Sequence, residues 1–424
     1  MKALVFERNL GRFAASRVAS ALGSGRGVAV GPLHLTEVDE PELPGPDWYR
    51  LAPRLAGICG SDLATLDGHS SRYFEEIVSF PFVPGHEIVA DLLTELEPGS
   101  GSGRVVVEPV LSCAVRGIEP TCAACAAGHT GGCQRIAFGH IKPGLQTGYC
   151  TDTGGGWGGV VVAHASQLHV VPETMSDETA VMVEPTACAI HAALRARVEG
   201  GDVVVVLGAG TLGLCTIAAL RAYSPPRTLI VGAKHPDQKR LAGDLGADVV
   251  VAPSEVGRVV RRATHTMAVP APRATAAPSS RLTGGADVVV DCVGSAASIA
   301  QALELVRPRG RVVLVGMPGS VRVDLAPLWH RELELVGAYA YGQEEVGDDA
   351  GNPAPVRTFD LAFELVHNAE LGRLVSARYG LGDYQAAIAH AAASGARGAT
   401  KVVFDLSIGA RRRWDDNDTA RRNK

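Results

Sequence analysis

The chain has no surplus of basic charge. Its 424 residues carry 40 Lys and Arg against 45 Asp and Glu, a net charge of -5. That removes the electrostatic reason to expect a nucleic-acid partner. No apolar leader stands at the N-terminus: Met1 to Arg8 reads as a strand and not as a secretory h-region, so a cytoplasmic location is expected. No internal repeat is found. One stretch, Val203 to Leu220, lacks charge over a length that could span a bilayer. Its four valines, Gly-rich turn and helix-like run describe a buried strand–turn–helix instead, and no membrane partner is expected.

What is present is an ordinary soluble composition, 46% hydrophobic and 20% charged. The length predicts two domains, because single cores rarely keep growing beyond about 250–300 residues. Residues 1–188 are rich in Gly, Pro and short β-type runs such as Arg104–Val107, which suits an antiparallel β domain with long loops, among them 8–34 and 66–84. From about Gly201, apolar runs at 203–207, 228–232, 287–291 and 311–315 alternate with helical stretches at 212–222, 237–245 and 296–306. Such alternation predicts a doubly wound parallel sheet. Beyond Gly342 the pattern suggests a helix over His367–Val375, a helix over Tyr384–Ala393 and a strand over Lys401–Asp405. Thr266–Ser280 reads as a surface loop, and the mixed-charge tail 411–424 as disordered.

Nine cysteines fit a reducing compartment better than a disulfide framework, because four of them cluster. Cys122, Cys125 and Cys133 read C-x2-C-x7-C, with eight residues between Cys113 and Cys122. Thiolates at such spacing can close a tetrahedral zinc site. Cys150, Cys215 and Cys292 read as structural.

The strand Val203–Leu207 leads into Gly208-x-Gly210-x-x-Gly213 and then into a helix. Placed so, the motif signals dinucleotide binding. Gly208 allows the tight turn, Gly210 the approach of the pyrophosphate and Gly213 close helix–strand packing. Thr211 and Leu212 open the helix whose free N–H groups would face the anion. NAD enzymes usually place an acid at the end of the second strand. Here Ala233 and Lys234 stand there, which gives NADP(H) a slight preference over NAD(H), although Asp237 is near.

From Gly57-Ile58-Cys59-Gly60-Ser61-Asp62, through Pro84-Gly85-His86-Glu87, to Lys401-Val402-Val403, the chain resembles the zinc-dependent medium-chain dehydrogenases. The resemblance implies an α/β fold, with a GroES-like β-rich catalytic domain over 1–188 and a structural zinc lobe at about 109–135. A Rossmann domain would span 189–341, and the chain would return to the catalytic domain over 342–410. Cys59 and His86 would ligate a catalytic zinc. Asp62 would orient His86. Glu87 would be a ligand or lie just outside, and the last ligand would be Glu184 or Cys188. Cys113, Cys122, Cys125 and Cys133 would hold the structural zinc, although the family's usual first gap is two residues and not eight. Ser61 would begin a proton relay. The usual next member, a His at the position of Ala64, is missing, so His69 or water would follow. Val293 and Gly316 would lie near the cofactor and Lys401 near its pyrophosphate.

The implied activity is hydride transfer between an alcohol or polyol, or its carbonyl form, and a nicotinamide, with zinc as Lewis acid. A zinc-free quinone reductase and a non-catalytic NADPH-binding protein of the same fold are the alternatives. A homodimer or homotetramer is expected. Trp157, Tyr73, Phe74 and Trp329 are pocket candidates.

Overall fold

A computed structural model describes residues 1–93, 103–270, 280–347 and 353–408. The chain divides into two units, Met1–Glu184 with Glu370–Lys424, and Pro185–Ala369. The tail expected to be disordered lies outside the described residues. The ends of the expected 266–280 loop form an antiparallel pair, Ala268–Pro270 with Ser280–Leu282, and 271–279 lie outside the description.

The first unit is built on a seven-stranded sheet. Its path runs Val375–Tyr379, Lys401–Asp405, Trp48–Gly57, Ile88–Leu92, Arg104–Val107, Leu168–Val170, and Val161–His164 also pairs with Trp48–Gly57. All pairings are antiparallel except the first. Both faces are covered, so Leu51, Ile88, Ala90, Val105, Val107, Val161 and Ala163 form a fully buried cluster. Segment 8–34, read as a loop, contains the helix Leu10–Ser20. Its side toward the protein presents Ser16 and Ser20, while Leu10 and Val18 are exposed. That inverted amphipathy hides the helix from any reading of apolar period.

One exposed corner of this sheet is tied by charge. Arg54 and Arg104 each donate to Asp177 at 2.7 Å, and Arg54 also reaches Asp91. Burial works against the Asp177 anion, but the two guanidinium groups win and hold its carboxyl below the usual value. A depressed acid adds stability above its unfolded value, about pH 3.9, and that contribution is lost as pH falls through the lower folded value. Asp177→Asn should therefore cost about 1 kcal/mol at pH 7 and progressively less as pH falls below about 3.9 toward the lower folded value. Denaturant melts of both chains at the two pH values check this.

The second unit holds six parallel strands in the order Val249–Val251, Thr228–Gly232, Val203–Leu207, Ala286–Asp291, Val306–Leu314, Glu334–Gly337. In chain order this is 3-2-1-4-5-6, the doubly wound dinucleotide arrangement. Val204, Val205, Val206, Val289 and Val290 are buried on both faces, which explains the continuous apolar runs. The helix Thr211–Tyr223 confirms that Val203–Leu220 is strand, turn and helix, and no helix among the described residues is long and apolar enough to cross a membrane.

The return to the first unit falls at Glu370 and not at 342. Residues 358–368 form a helix whose Leu361 carbonyl accepts from Tyr223 and whose Thr358 bonds Gly342, and these contacts keep the segment with the parallel sheet. The helix expected over His367–Val375 is accordingly misplaced: it ends at Asn368, and a short 3-10 turn and a strand follow.

Candidate metal and cofactor sites

Two adjacent antiparallel strands deliver the first ligand cluster. Trp48–Gly57 runs out into Ile58 and Cys59, while His86 and Glu87 lead into Ile88–Leu92, with Ala56 opposite Ile88. Cys59 caps the helix Gly60–Leu66, its sulfur facing the Asp62 N–H while its own N–H donates to Asp62 Oδ2 at 2.9 Å. Gly85 adopts φ +95, and a Cβ there would strike the Trp157 ring. Cys59, His86 and Glu87 each offer a donor atom, and the three atoms lie within 4.8 Å of one another.

These groups are almost fully enclosed. Asp62, His86, Glu87 and Lys401 are 2, 3, 1 and 2% exposed. Asp62 Oδ1 stands 3.6 Å from His86 Nδ1, which has no hydrogen-bond partner. Glu87 pairs with Lys401, whose Nζ also reaches the Ile58 carbonyl at 3.4 Å. A Cβ on Gly57 would collide with the Glu87 carboxylate, so glycine makes room for this buried pair. Burial alone would depress the His86 imidazole. Asp62, Cys59 and Glu184 outweigh it and hold the ring well above the ordinary histidine value. A site that so favours a cation, with S, N and O donors within reach, fits zinc.

Lys401, expected at the pyrophosphate, is spent on Glu87. Burial works against its charge, and Glu87 with Cys59 restores it and more. Glu184 and Cys188 sit one turn apart on the helix Val183–Arg195. Neither belongs to the three-residue cluster, but the charge of Glu184 acts on both His86 and Lys401.

Tyr149 was not singled out from the sequence, because it carries no motif spacing. Its buried hydroxyl donates to Asp62 Oδ1 at 3.1 Å and lies 3.5 Å from Thr65 Oγ1. Burial first, then Asp62, pushes its phenol well above the usual range, so it stays a neutral donor that steadies Asp62. Removing such an outer partner typically lowers metal affinity about 10–100-fold. Tyr149→Phe, which keeps the ring against Phe82, should shed any metal bound at this site to a chelator about tenfold faster than the parent chain.

His69 is exposed, its Nε2 3.1 Å from Ser20 Oγ. Trp157 is fully buried and donates to the Gly57 carbonyl, so it packs the core and does not line a pocket. Tyr73 and Trp329 are strongly exposed.

The second cluster joins Cys113, Cys122, Cys125 and Cys133, again within 4.8 Å. The Sγ atoms of Cys113 and Cys133 are 3.7 Å apart. Tetrahedral zinc with Zn–S near 2.3 Å requires an edge of about 3.8 Å. The longer first gap therefore still brings Cys113 to its place. Backbone N–H groups of Cys122, Cys125 and Gln134 point at sulfurs. Burial would raise the Cys122 thiol, but donors from Cys125 and Gln134 win and bring it down to about 6. All nine cysteines are free thiols.

In the second unit the Gly-rich loop is shaped by its glycines. Gly208 adopts φ +94, and a Cβ on Gly213 would collide with the Gly208 carbonyl. Gly210 caps the helix Thr211–Tyr223. Gly294 and Gly316 meet backbone to backbone, which brings Val293, half exposed, beside the turn after Val306–Leu314. The strand Thr228–Gly232 ends in buried Ala233 and exposed Lys234, and Asp237 stands in the first turn of the next helix.

The comparisons agree with this construction. Residues 45–173 match the alcohol dehydrogenase GroES-like domain, and residues 211–350 match the zinc-binding dehydrogenase family. The chain is 30% identical over 374 residues to a sorbitol dehydrogenase of Arabidopsis thaliana, covering 85% of this chain and 89% of that protein. It is 31% identical over 303 residues to an L-idonate 5-dehydrogenase of Vitis vinifera, covering 70% and 74%. A structure from Sinorhizobium meliloti 1021, described as a zinc-binding dehydrogenase bound to NADP, superposes with a TM-score of 0.64 at 25% identity, covering 88% and 95%. The chain belongs to the zinc-dependent medium-chain dehydrogenase family.

Proposed function

We propose that this oxidoreductase transfers hydride between a polyol or related alcohol and a nicotinamide cofactor, using zinc held by Cys59, His86 and a carboxylate. The observation that carries the reading is the convergence of S, N and O donors from half-buried Cys59 and buried His86 and Glu87, in surroundings that favour a cation. Zinc bound there would supply Lewis acidity toward the substrate oxygen.

The chain's own residues do the rest. Asp62, 3.6 Å from His86 Nδ1, would orient the ring, and is itself held by Cys59 N–H and Tyr149. We assign the last ligand to Glu184, whose charge reaches His86, and leave Cys188 as a small packed thiol. Glu87 would stay beside the metal with its charge balanced by Lys401, not by the cofactor. The hydroxyl of Ser61, two residues beyond Cys59, would take the proton released on oxidation. Cys113, Cys122, Cys125 and Cys133 would hold a second, structural zinc. Gly208, Gly210 and Gly213 would admit the pyrophosphate to the N–H groups of Thr211 and Leu212, with Val293 and Gly316 toward the nicotinamide.

For the adenosine end we propose NADP(H). Ala233 leaves space and exposed Lys234 offers charge where a 2′-phosphate would sit. Lys234→Ala should raise KM for NADP+ about tenfold and leave that for NAD+ unchanged, as expected when one charge-assisted contact worth about 1.4 kcal/mol is lost. Initial rates with both cofactors check this. The function itself is tested by assaying sorbitol, xylitol and L-idonate against simple primary alcohols, following nicotinamide absorbance. Turnover of polyols supports the reading, and turnover of quinones alone would sink it.

A further inference from the structure

The eight-residue gap between Cys113 and Cys122 contains Arg116, which is completely buried. Its guanidinium donates to five backbone carbonyls: Leu111 at 3.0 Å, Phe138 at 3.0 Å, Ile141 at 3.4 Å, Lys142 at 3.3 Å and Gly144 at 2.8 Å. Its own backbone closes the turn after the first ligand, with its N–H on the Cys113 carbonyl at 3.1 Å. Among the described residues no carboxylate pairs with it. Carbonyls satisfy hydrogen bonds but carry no net charge, and a buried cation is costly unless an anion is near.

Arg116 stands in the same lobe as the four-cysteine cluster, its backbone bonded to Cys113 and its guanidinium to the carbonyls that follow Cys133. Burial pulls the guanidinium below its ordinary value, and Cys150, Cys133 and Cys113 act in the opposite sense. Cys150 is buried, donates its thiol to the Lys142 carbonyl at 3.5 Å and lies outside the cluster. Cys113 and Cys133 belong to the four-cysteine cluster. Four thiolates around one zinc carry a net charge of about -2, which is itself costly in a buried lobe. The two charges lie in one lobe, and among the described residues no carboxylate pairs with Arg116.

We propose that Arg116 is the counter-charge of the four-cysteine metal site, and that the long gap exists to bury it there. The inference rests on the reading of the lobe as a zinc site. A gap of two residues has no room for an arginine that leaves the turn and reaches the carbonyls of 138–144. The same side chain thus neutralises the site and pins the segment that follows the last ligand.

The test is the rate at which lobe zinc passes from the full-length chain to a chromogenic chelator at neutral pH. The chains compared are the wild type, Arg116→Lys, Arg116→Gln and Cys125→Ala. Lysine keeps the charge and loses the carbonyl fork; glutamine keeps a donor and loses the charge. Arg116→Gln should release zinc at least about tenfold faster, and Arg116→Lys should stay within about threefold of the wild type. Equal loss in both variants overturns the proposal, because the fork and not the charge would then hold the lobe. If Arg116→Gln does not fold, Arg116→Lys alone decides: retention supports the counter-charge, and loss as complete as in Cys125→Ala overturns it. If Cys125→Ala holds as much zinc as the wild type, the lobe binds none, and the zinc reading falls together with the counter-charge. Only that failure shows in Cys125→Ala, so the two are told apart.

Discussion

Replacing Cys59 with alanine should lower kcat/KM for alcohol oxidation by about a thousandfold or more while leaving a folded protein. The size follows from what the site supplies: a metal acting on the substrate oxygen contributes several kcal/mol, and each 1.36 kcal/mol is tenfold in rate. The fold should survive because Cys59 is only partly buried and caps a seven-residue helix. The cost of losing that cap is about 1 kcal/mol. Cofactor binding should be unchanged, since the Gly-rich loop stands in the other unit. Steady-state kinetics beside nicotinamide fluorescence titration check both halves. A Cys59→Ala chain with activity within tenfold of the parent would show that the thiolate holds no catalytic metal.

The second large effect concerns Lys401. Lys401→Met should destabilise the first unit by roughly 3–5 kcal/mol, because it leaves the Glu87 carboxylate buried without its partner. A merely structural lysine would lose only its packing. The distinction lies in the double variant: Lys401→Met with Glu87→Gln removes both charges and should recover at least half of the loss. Denaturant unfolding of the four chains gives the cycle. No recovery in the double variant would mean that the loss at Lys401 does not come from an unpaired Glu87 carboxylate.

Much of this architecture is legible in the residues. The parallel sheet announces itself because strands buried on both faces must be uniformly apolar, as Val203–Leu207 and Ala286–Asp291 are. The dinucleotide loop is legible because Gly208 and Gly213 have no substitutes, and the cysteine lobe because ligand spacing survives in the chain. Other features have no local signature. Glu87 and Lys401 meet only through the sheet, as Lys401–Asp405 pairs with Trp48–Gly57, so a lysine before a strand looks like any other. Tyr149 reaches Asp62 from a loop beyond the lobe. The helix Leu10–Ser20 turns its serines inward, and the helix Thr358–Asn368 belongs with the parallel sheet by contacts that no periodicity reports.

The strand Val249–Val251, the helix Val256–Ala263 and the strand Glu334–Gly337 also lack a clear signature in the sequence. The two strands are short, and the helix is polar over most of its surface, with Val256 and Val260 as its buried contacts.

The most direct test is zinc per chain in the purified wild type, measured by elemental analysis with Cys59→Ala and Cys125→Ala alongside. Two donor sets that fit zinc predict two equivalents in the wild type and one in each variant. A single equivalent that survives Cys59→Ala and vanishes in Cys125→Ala would leave only the structural lobe, and the metal-assisted oxidation argued here would be contradicted.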